Sequence, residues 1–187
     1  MAKNIVKNLH KAIKEKACRE CEEMFTPYNS LQVCCSSPCA IEYAKKKVWK
    51  QEKAKRIDKL RTRTEWLNLL QVVFNTYINA RDFGSGKECI SCGCTLVKGQ
   101  VNASHFLPVG SYPNLRFNED NCHSSCIHCN LFLHGNQFEY SLRLPKRIGE
   151  ARYYALNELK NEPLKLTESE IKELIATYKA KIKSLKC

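Results

Sequence analysis

The sequence predicts an α+β fold: a small cross-linked core with a hairpin and a helix, set in a mostly helical chain behind an N-terminal four-cysteine module. Three observations carry that prediction. Twelve cysteines in 187 residues fall mostly into two groups of unlike spacing, and a count this high implies cross-links. Long stretches outside those groups have helical apolar spacing or helix-cap residues. Between the halves of the second group lies a turn-rich stretch with strand-forming residues.

The first segment, residues 1–42, opens with "MAKNIVKNLHKAIKEKA". Lysines are scattered through it and it lacks an apolar h-region, so it reads as a basic amphipathic helix rather than a signal peptide. His10 within it carries no signal. No later stretch approaches the length of a membrane span, so no membrane partner is expected. A cytoplasmic location follows as an expectation, and in a reducing compartment close-set cysteines bind zinc rather than pair as disulfides. In "KACRECEEMFTPYNSLQVCCSSPCAIE", Cys18, Cys21, Cys35 and Cys39 complete a four-thiolate set. Cys34 competes with Cys35; the shorter gap to Cys39, with a turn through Pro38, favours Cys35.

The second segment, residues 43–83, is helical and changes character midway. "YAKKKVWKQEKAKRIDKLRTR" has ten Lys/Arg against two acids and a poor apolar stripe, an exposed basic helix. "TEWLNLLQVVFNTYINARDF" places Trp66, Leu69, Leu70, Val73, Phe74, Tyr77 and Ile78 at helical spacing, with Thr64 as the expected N-cap and Gly84 as the stop.

The third segment, residues 84–137, holds the pairs Cys89/Cys92 and Cys126/Cys129, a second zinc set, with Gly93 freeing the backbone to fold round the metal. Cys94 and Cys122 are spare. "TLVKGQVNASHF" reads as a hairpin turning at Lys98-Gly99-Gln100, with His105 near the end of its second strand. "LPVGSYPNLRFNED" is a loop, and "SSCIHCNLFLHG" a short helix starting near Ser124 or Ser125 and stopped by Gly135. The fourth segment, residues 138–187, is helical: Thr167 and Glu170 form a capping box, and Pro163 separates that helix from an earlier one.

Charge is uneven along the chain. Residues 1–63 carry 16 Lys/Arg against 7 Asp/Glu, residues 64–137 carry 4 against 5, and residues 138–187 carry 11 against 7. Basic flanks around a near-neutral centre suit a polyanion held by the flanks and presented to the centre, with nucleic acid the obvious candidate. Arg116, Lys98, Lys46, Lys50, Lys53 and Arg56 are the candidate phosphate contacts.

A cysteine pair, a hairpin ending in His, a loop with Asn, then a helix carrying CxxCN: this order resembles the HNH, or ββα-metal, nuclease core. With the N-terminal module, "CISCG", "ASHF", "NLRFNEDNCHSSCIHCN", "GN" and "RIG", most of the chain resembles the phage NinG (Rap) recombination proteins. It is also similar to endonuclease-seven-type junction resolvases. The resemblance implies a zinc-stapled ββα-metal (HNH-like) core and a structure-specific endonuclease acting on branched DNA, Holliday junctions in particular. It implies His105 as general base, Asn121 as the brace of the catalytic loop and Asn130 as a ligand of a catalytic magnesium or manganese. Many such sites carry an aspartate before the histidine, where this chain has Ser104. The missing ligand is therefore sought among His134, Asp120 and His123, with His134 first because it is placed on the Asn130 helix.

The chemistry fits those roles. Imidazole takes a proton from water near neutral pH, and magnesium accepts an amide oxygen within a shell of water and phosphate oxygens. A homodimer is expected, since paired cuts in a two-fold symmetric junction need paired sites, and the helix at 64–82 is the expected contact. Recombination proteins are possible partners. Two other readings stay open: a non-catalytic zinc-containing DNA-binding recombination factor, and a protein-interaction adaptor.

Overall fold

The computed structural model describes residues 14–159 and 163–185. In order these form β1 (Lys16–Ala17), β2 (Met24–Phe25), α1 (Ser37–Leu60), α2 (Arg63–Gly84), β3 (Val101–His105), β4 (Cys122–Cys126), α3 (Gln137–Ile148), α4 (Glu150–Glu158) and α5 (Glu168–Ser184). Most of the basic helix expected at the start, His10 included, lies outside the described residues, and Lys16 and Ala17 are strand. The chain divides into two compact units, Met1–Arg61 and Thr62–Cys187. No helix among the described residues is long and apolar enough to cross a membrane.

In the first unit β1 and β2 pair antiparallel, with Lys16 opposite Phe25 and Ala17 opposite Met24. The turn between them is closed by Cys18 N–H donating to Glu23 O at 2.9 Å and Glu22 N–H donating to Cys18 O at 3.0 Å. Ser36 caps α1, its hydroxyl accepting from Cys39 N–H at 3.5 Å, with Pro38 in the first turn. Arg19 donates to Tyr43 Oη at 3.2 Å, and Lys46 pairs with Glu20, so two contacts tie the helix to the turn. α1 buries no residue over its 24, the exposed basic helix its composition predicts, and it runs through the boundary drawn at 42/43.

In the second unit α2 begins one turn fragment earlier than expected. Thr62, not Thr64, is the N-cap, in a capping box with Glu65; only Thr62 has a glutamate three residues on. Trp66, Leu67, Leu70, Val73, Phe74, Tyr77 and Ile78 pack against Ile171, Ile175 and Tyr178 of α5, and α5 starts on the Thr167–Glu170 capping box that its sequence predicts. The α2 stripe expected to meet a second copy is thus already covered within the chain.

The hairpin expected over residues 95–106 is not the strand pair. Gln100 N–H does donate to Val97 O at 2.9 Å, closing a turn. Leu96, however, is buried with Cys89 and Cys129, which draws the chain before the turn toward those sulfurs. β3 pairs antiparallel with β4 instead, Val101 opposite Cys126 through His105 opposite Cys122. The helix expected from Ser124 or Ser125 begins later for the same reason: residues 122–126 are strand, and one π-helical turn, His128–Phe132, follows.

Alternation along β3 and β4 sends Ala103 and Cys122 to the α2–α5 core. It sends Ser104 and His123 the other way, to Tyr140 of α3. Tyr140 belongs to a second core with Ile90, Leu107, Leu115, Leu144 and Leu156. The two-stranded sheet is therefore packed on both faces, which a pair this short needs.

One charged group sits inside this sandwich. Asp82, fully buried at the end of α2, accepts from Ser124 N–H at 2.8 Å and from Arg81 Nε at 2.8 Å and Nη2 at 3.1 Å. Arg81 also donates to Cys122 O at 3.1 Å. Burial pushes the Asp82 carboxyl up, but the Arg81 guanidinium and the Ser124 amide outweigh it and hold it below the usual range. Removing the carboxylate would leave a buried guanidinium and a strand amide unpaired. Asp82→Ala is expected to cost about 3 kcal/mol, measured by urea unfolding followed through the fluorescence of buried Trp66.

Candidate functional site

Two groups of four sulfurs converge: Cys18, Cys21, Cys35 and Cys39 in the first unit, and Cys89, Cys92, Cys126 and Cys129 in the second. Within each, all ligand atoms lie within 4.8 Å of one another. A zinc tetrahedron with arms of about 2.3 Å has sulfur–sulfur edges of about 3.8 Å. Cys21–Cys35 at 3.6 Å, Cys35–Cys39 at 3.7 Å and Cys92–Cys126 at 3.9 Å match those edges, and all are far longer than a disulfide bond.

Backbone amides aim at the sulfurs. Cys35 N–H donates to Cys18 Sγ at 3.4 Å, and Cys126 N–H to Cys89 Sγ at 3.3 Å. Such donors favour the thiolate that a metal needs; the Cys21 amide leads in pulling the Cys18 thiol down to about 6. Both clusters could hold zinc, and a structural zinc with four thiolates has no open position for substrate.

The third ligand of the first set is Cys35; Cys34 is buried outside the cluster. Cys122 is buried in the α2–α5 core, and burial pushes its thiol well up. Gly93, at φ +74°, turns the chain after Cys92; a Cβ there would meet the Arg143 guanidinium at 2.5 Å.

His105 ends β3 with its ring half-buried, stacked on Phe74 of α2 at 6.3 Å between centroids. Its Nε2 lies 2.9 Å from Arg116 O. A carbonyl can only accept, so Nε2 carries the proton and Nδ1 keeps its lone pair, which has Cys122 Sγ at 3.9 Å. Burial, helped by the nearby Arg116 charge, pushes the His105 pKa below its ordinary value, so the ring is neutral at pH 7.

Asn121, fully buried, closes the loop between the strands. Its Oδ1 accepts from Leu107 N–H at 2.7 Å, and its Nδ2 donates to Leu107 O at 3.0 Å and Leu115 O at 3.1 Å. Arg116 of the same loop donates from Nε to Gln71 Oε1 at 2.6 Å, and Gln71 donates to Asn75 Oδ1 at 2.7 Å. Gln71, Phe74 and Tyr140 were not singled out from the sequence. The Gln71/Asn75 pair, four residues apart in an otherwise apolar helix, is the signal that could have found the first.

The candidate ligands of a catalytic metal do not come together. Among the described residues, no third group of three or more His, Cys, Asp or Glu donors converges. Asp120 is taken by Arg152, which donates to it from Nε at 2.8 Å and from Nη2. His123 is buried with Nδ1 3.1 Å from Tyr140 Oη, so it faces neither metal nor phosphate. His134 is exposed but lies beyond the helical turn, at φ +49°, not on the Asn130 helix. Asn130 is half-buried within that turn. The turn nevertheless docks on the end of β3: Gly135 approaches Ser104, and Gln137 Nε2 donates to His105 O at 3.2 Å. Lys98 is exposed in the second unit, and Lys46, Lys50, Lys53 and Arg56 are exposed on α1 in the first.

Two outcomes follow. Metal analysis is expected to give two zincs per chain for the wild type and for Cys34→Ser and Cys94→Ser, and one for Cys89→Ser or Cys35→Ser. Burial, then the Arg81 charge, pushes the His123 pKa down to about 3. The folded value lies below the unfolded value of about 6.5, so its contribution is complete above pH ~6.5 and lost as pH falls toward 3. His123→Phe is expected to flatten the decline in stability between pH 6.5 and 5, measured by urea unfolding at fixed zinc.

A family model described as the bacteriophage lambda NinG protein matches residues 10–187. "Protein ninG" of Escherichia phage lambda is 34% identical over 188 residues, covering 89% of this chain and 90% of the relative. "Protein ninG" of Salmonella phage P22 is 34% identical over 190 residues, covering 89% and 91%. That of Escherichia phage 933W is 32% identical over 192 residues, covering 91% and 94%. No solved structure matches the chain. A match over nearly the whole length, with both cysteine clusters inside it, places the chain in the phage NinG family.

Proposed function

We propose that this protein is a metal-dependent, structure-specific endonuclease that cuts branched DNA, four-way junctions among them, in phage recombination. The observation that carries the reading is His105: a neutral imidazole at a strand end, oriented by the Arg116 carbonyl, on a loop closed by Asn121. A base held in one tautomer by a third group is the arrangement that acid–base catalysis needs. Nδ1 would take a proton from water as the water oxygen attacks phosphorus, and the bond to the leaving 3′ oxygen breaks. Gln71 leaves the Nη atoms of Arg116 available beside the imidazole, where they suit a phosphate.

The reading includes magnesium or manganese, which when bound would offset charge on the phosphate. This chain offers Asn130 and His134 toward it, and the rest of such a shell would have to come from phosphate and water oxygens. The lack of a converged donor set favours a second reading, a non-catalytic zinc-containing DNA-binding recombination factor. In the nuclease reading the protein acts as a homodimer on two-fold symmetric junctions.

A labelled four-way junction incubated with magnesium or manganese separates the two. Cleavage is expected, with His105→Ala slower by about a hundredfold or more. Binding without cleavage under every divalent metal would favour the second reading. The rate is expected to rise with pH through a value below the ordinary histidine pKa of about 6.5 and to stay level above pH 7, because only the deprotonated ring accepts a proton.

A further inference from the structure

α1 is a long helix with nothing packed on it in its own unit beyond its first turns: none of its residues is buried. It carries eight Lys/Arg against three Asp/Glu. In the middle sits Trp49, 63% exposed, within a shallow concavity lined with Lys45, Lys46, Lys50 and Lys53. Lys53 Nζ lies 5.1 Å from the indole centroid, so ring and cation form one surface. Arg56 continues the same patch one turn on.

An exposed indole loses the free energy that burial would give it, and its flat apolar face suits a flat apolar partner. The cations around it select a polyanion whose aromatic groups are free. Duplex DNA has phosphates but hides its base faces in the stack, whereas unpaired nucleotides offer both. A second copy of the helix would bring eight more cations against these and repel them.

We propose that the Trp49 face of α1 binds unpaired nucleotides, such as those at the branch point or single-stranded arm of a DNA substrate, by stacking a base on Trp49 while Lys50, Lys53 and Arg56 contact the flanking phosphates. This deepens the branched-DNA reading above and rests on it for the substrate. The chain has two tryptophans, and Trp66 is buried, so quenching by a nucleic acid reports on Trp49.

The test uses the full chain with no added divalent metal, titrated with a dT20 oligonucleotide and with a blunt duplex. Expected are quenching by dT20, its loss in Trp49→Ala with about tenfold weaker dT20 binding, and most of the affinity kept in Trp49→Phe. Duplex affinity is expected to change by less than about twofold, and Lys53→Ala to lower the salt slope by about one. Equal dT20 affinity in wild type and Trp49→Ala, or no quenching, would overturn the proposal. So would a wild-type oligomer in sedimentation that Trp49→Ala dissociates, because the face would then join copies of the chain. Junction cleavage is scored separately: dT20 quenching with no cleavage under any metal sinks the nuclease reading alone, and cleavage with an indifferent Trp49→Ala sinks this surface alone.

Discussion

The convergence of Cys89, Cys92, Cys126 and Cys129 is the constraint from which the centre of the molecule follows. β3 and β4 have five residues each, and a strand pair of that size is marginal in water. The four sulfurs fasten the end of β4 and the start of the helical turn to the 89–94 loop. Leu96 is drawn to the same point, so the chain ahead of β3 is withdrawn from strand pairing and β3 is left for β4. The docking of Gly135 and Gln137 at the His105 end of β3 then follows from where the helical turn must begin.

The features that read correctly from sequence are those set by local chemistry. Cysteine spacing gives both four-sulfur sets, and Thr167 with Glu170 gives the start of α5, because each depends on residues a few positions apart. β4 was illegible for the opposite reason. "CHSSC" has no apolar alternation, yet four of its five residues are buried. What pays for burying its serines and histidine is distant: Asp82 accepts from Ser124 N–H across 42 positions, and Tyr140 meets His123 across 17. An acid at the end of an apolar helix gives no sign that a strand amide waits for it. The missed Thr62 cap is different, since its glutamate three residues on was visible in the sequence.

The candidate site shows the same division. His105 and Asn121 stand where motif order puts them, at a strand end and at the closure of the following loop. Their surroundings are tertiary: Phe74 against the imidazole and Gln71 on Arg116 both come from α2. Asp120 and His123 share the polarity of metal ligands but are committed to Arg152 and Tyr140. Polarity in the sequence thus marked groups that the fold uses to hold itself together as well as groups left open for chemistry.

Ser104 carries a consequence for how such a site can change. It is almost fully buried, its carbonyl accepts from Tyr140 Oη, its hydroxyl lies beside Gly135, and its side chain points to the face opposite His105. A carboxylate introduced there would first meet a desolvated enclosure rather than a metal. Acquiring an acid at this position is therefore not a single mutational step for this chain. The Tyr140 contact or the Gly135 turn would have to open beforehand, so packing behind the strand restricts which catalytic repertoire its front can reach.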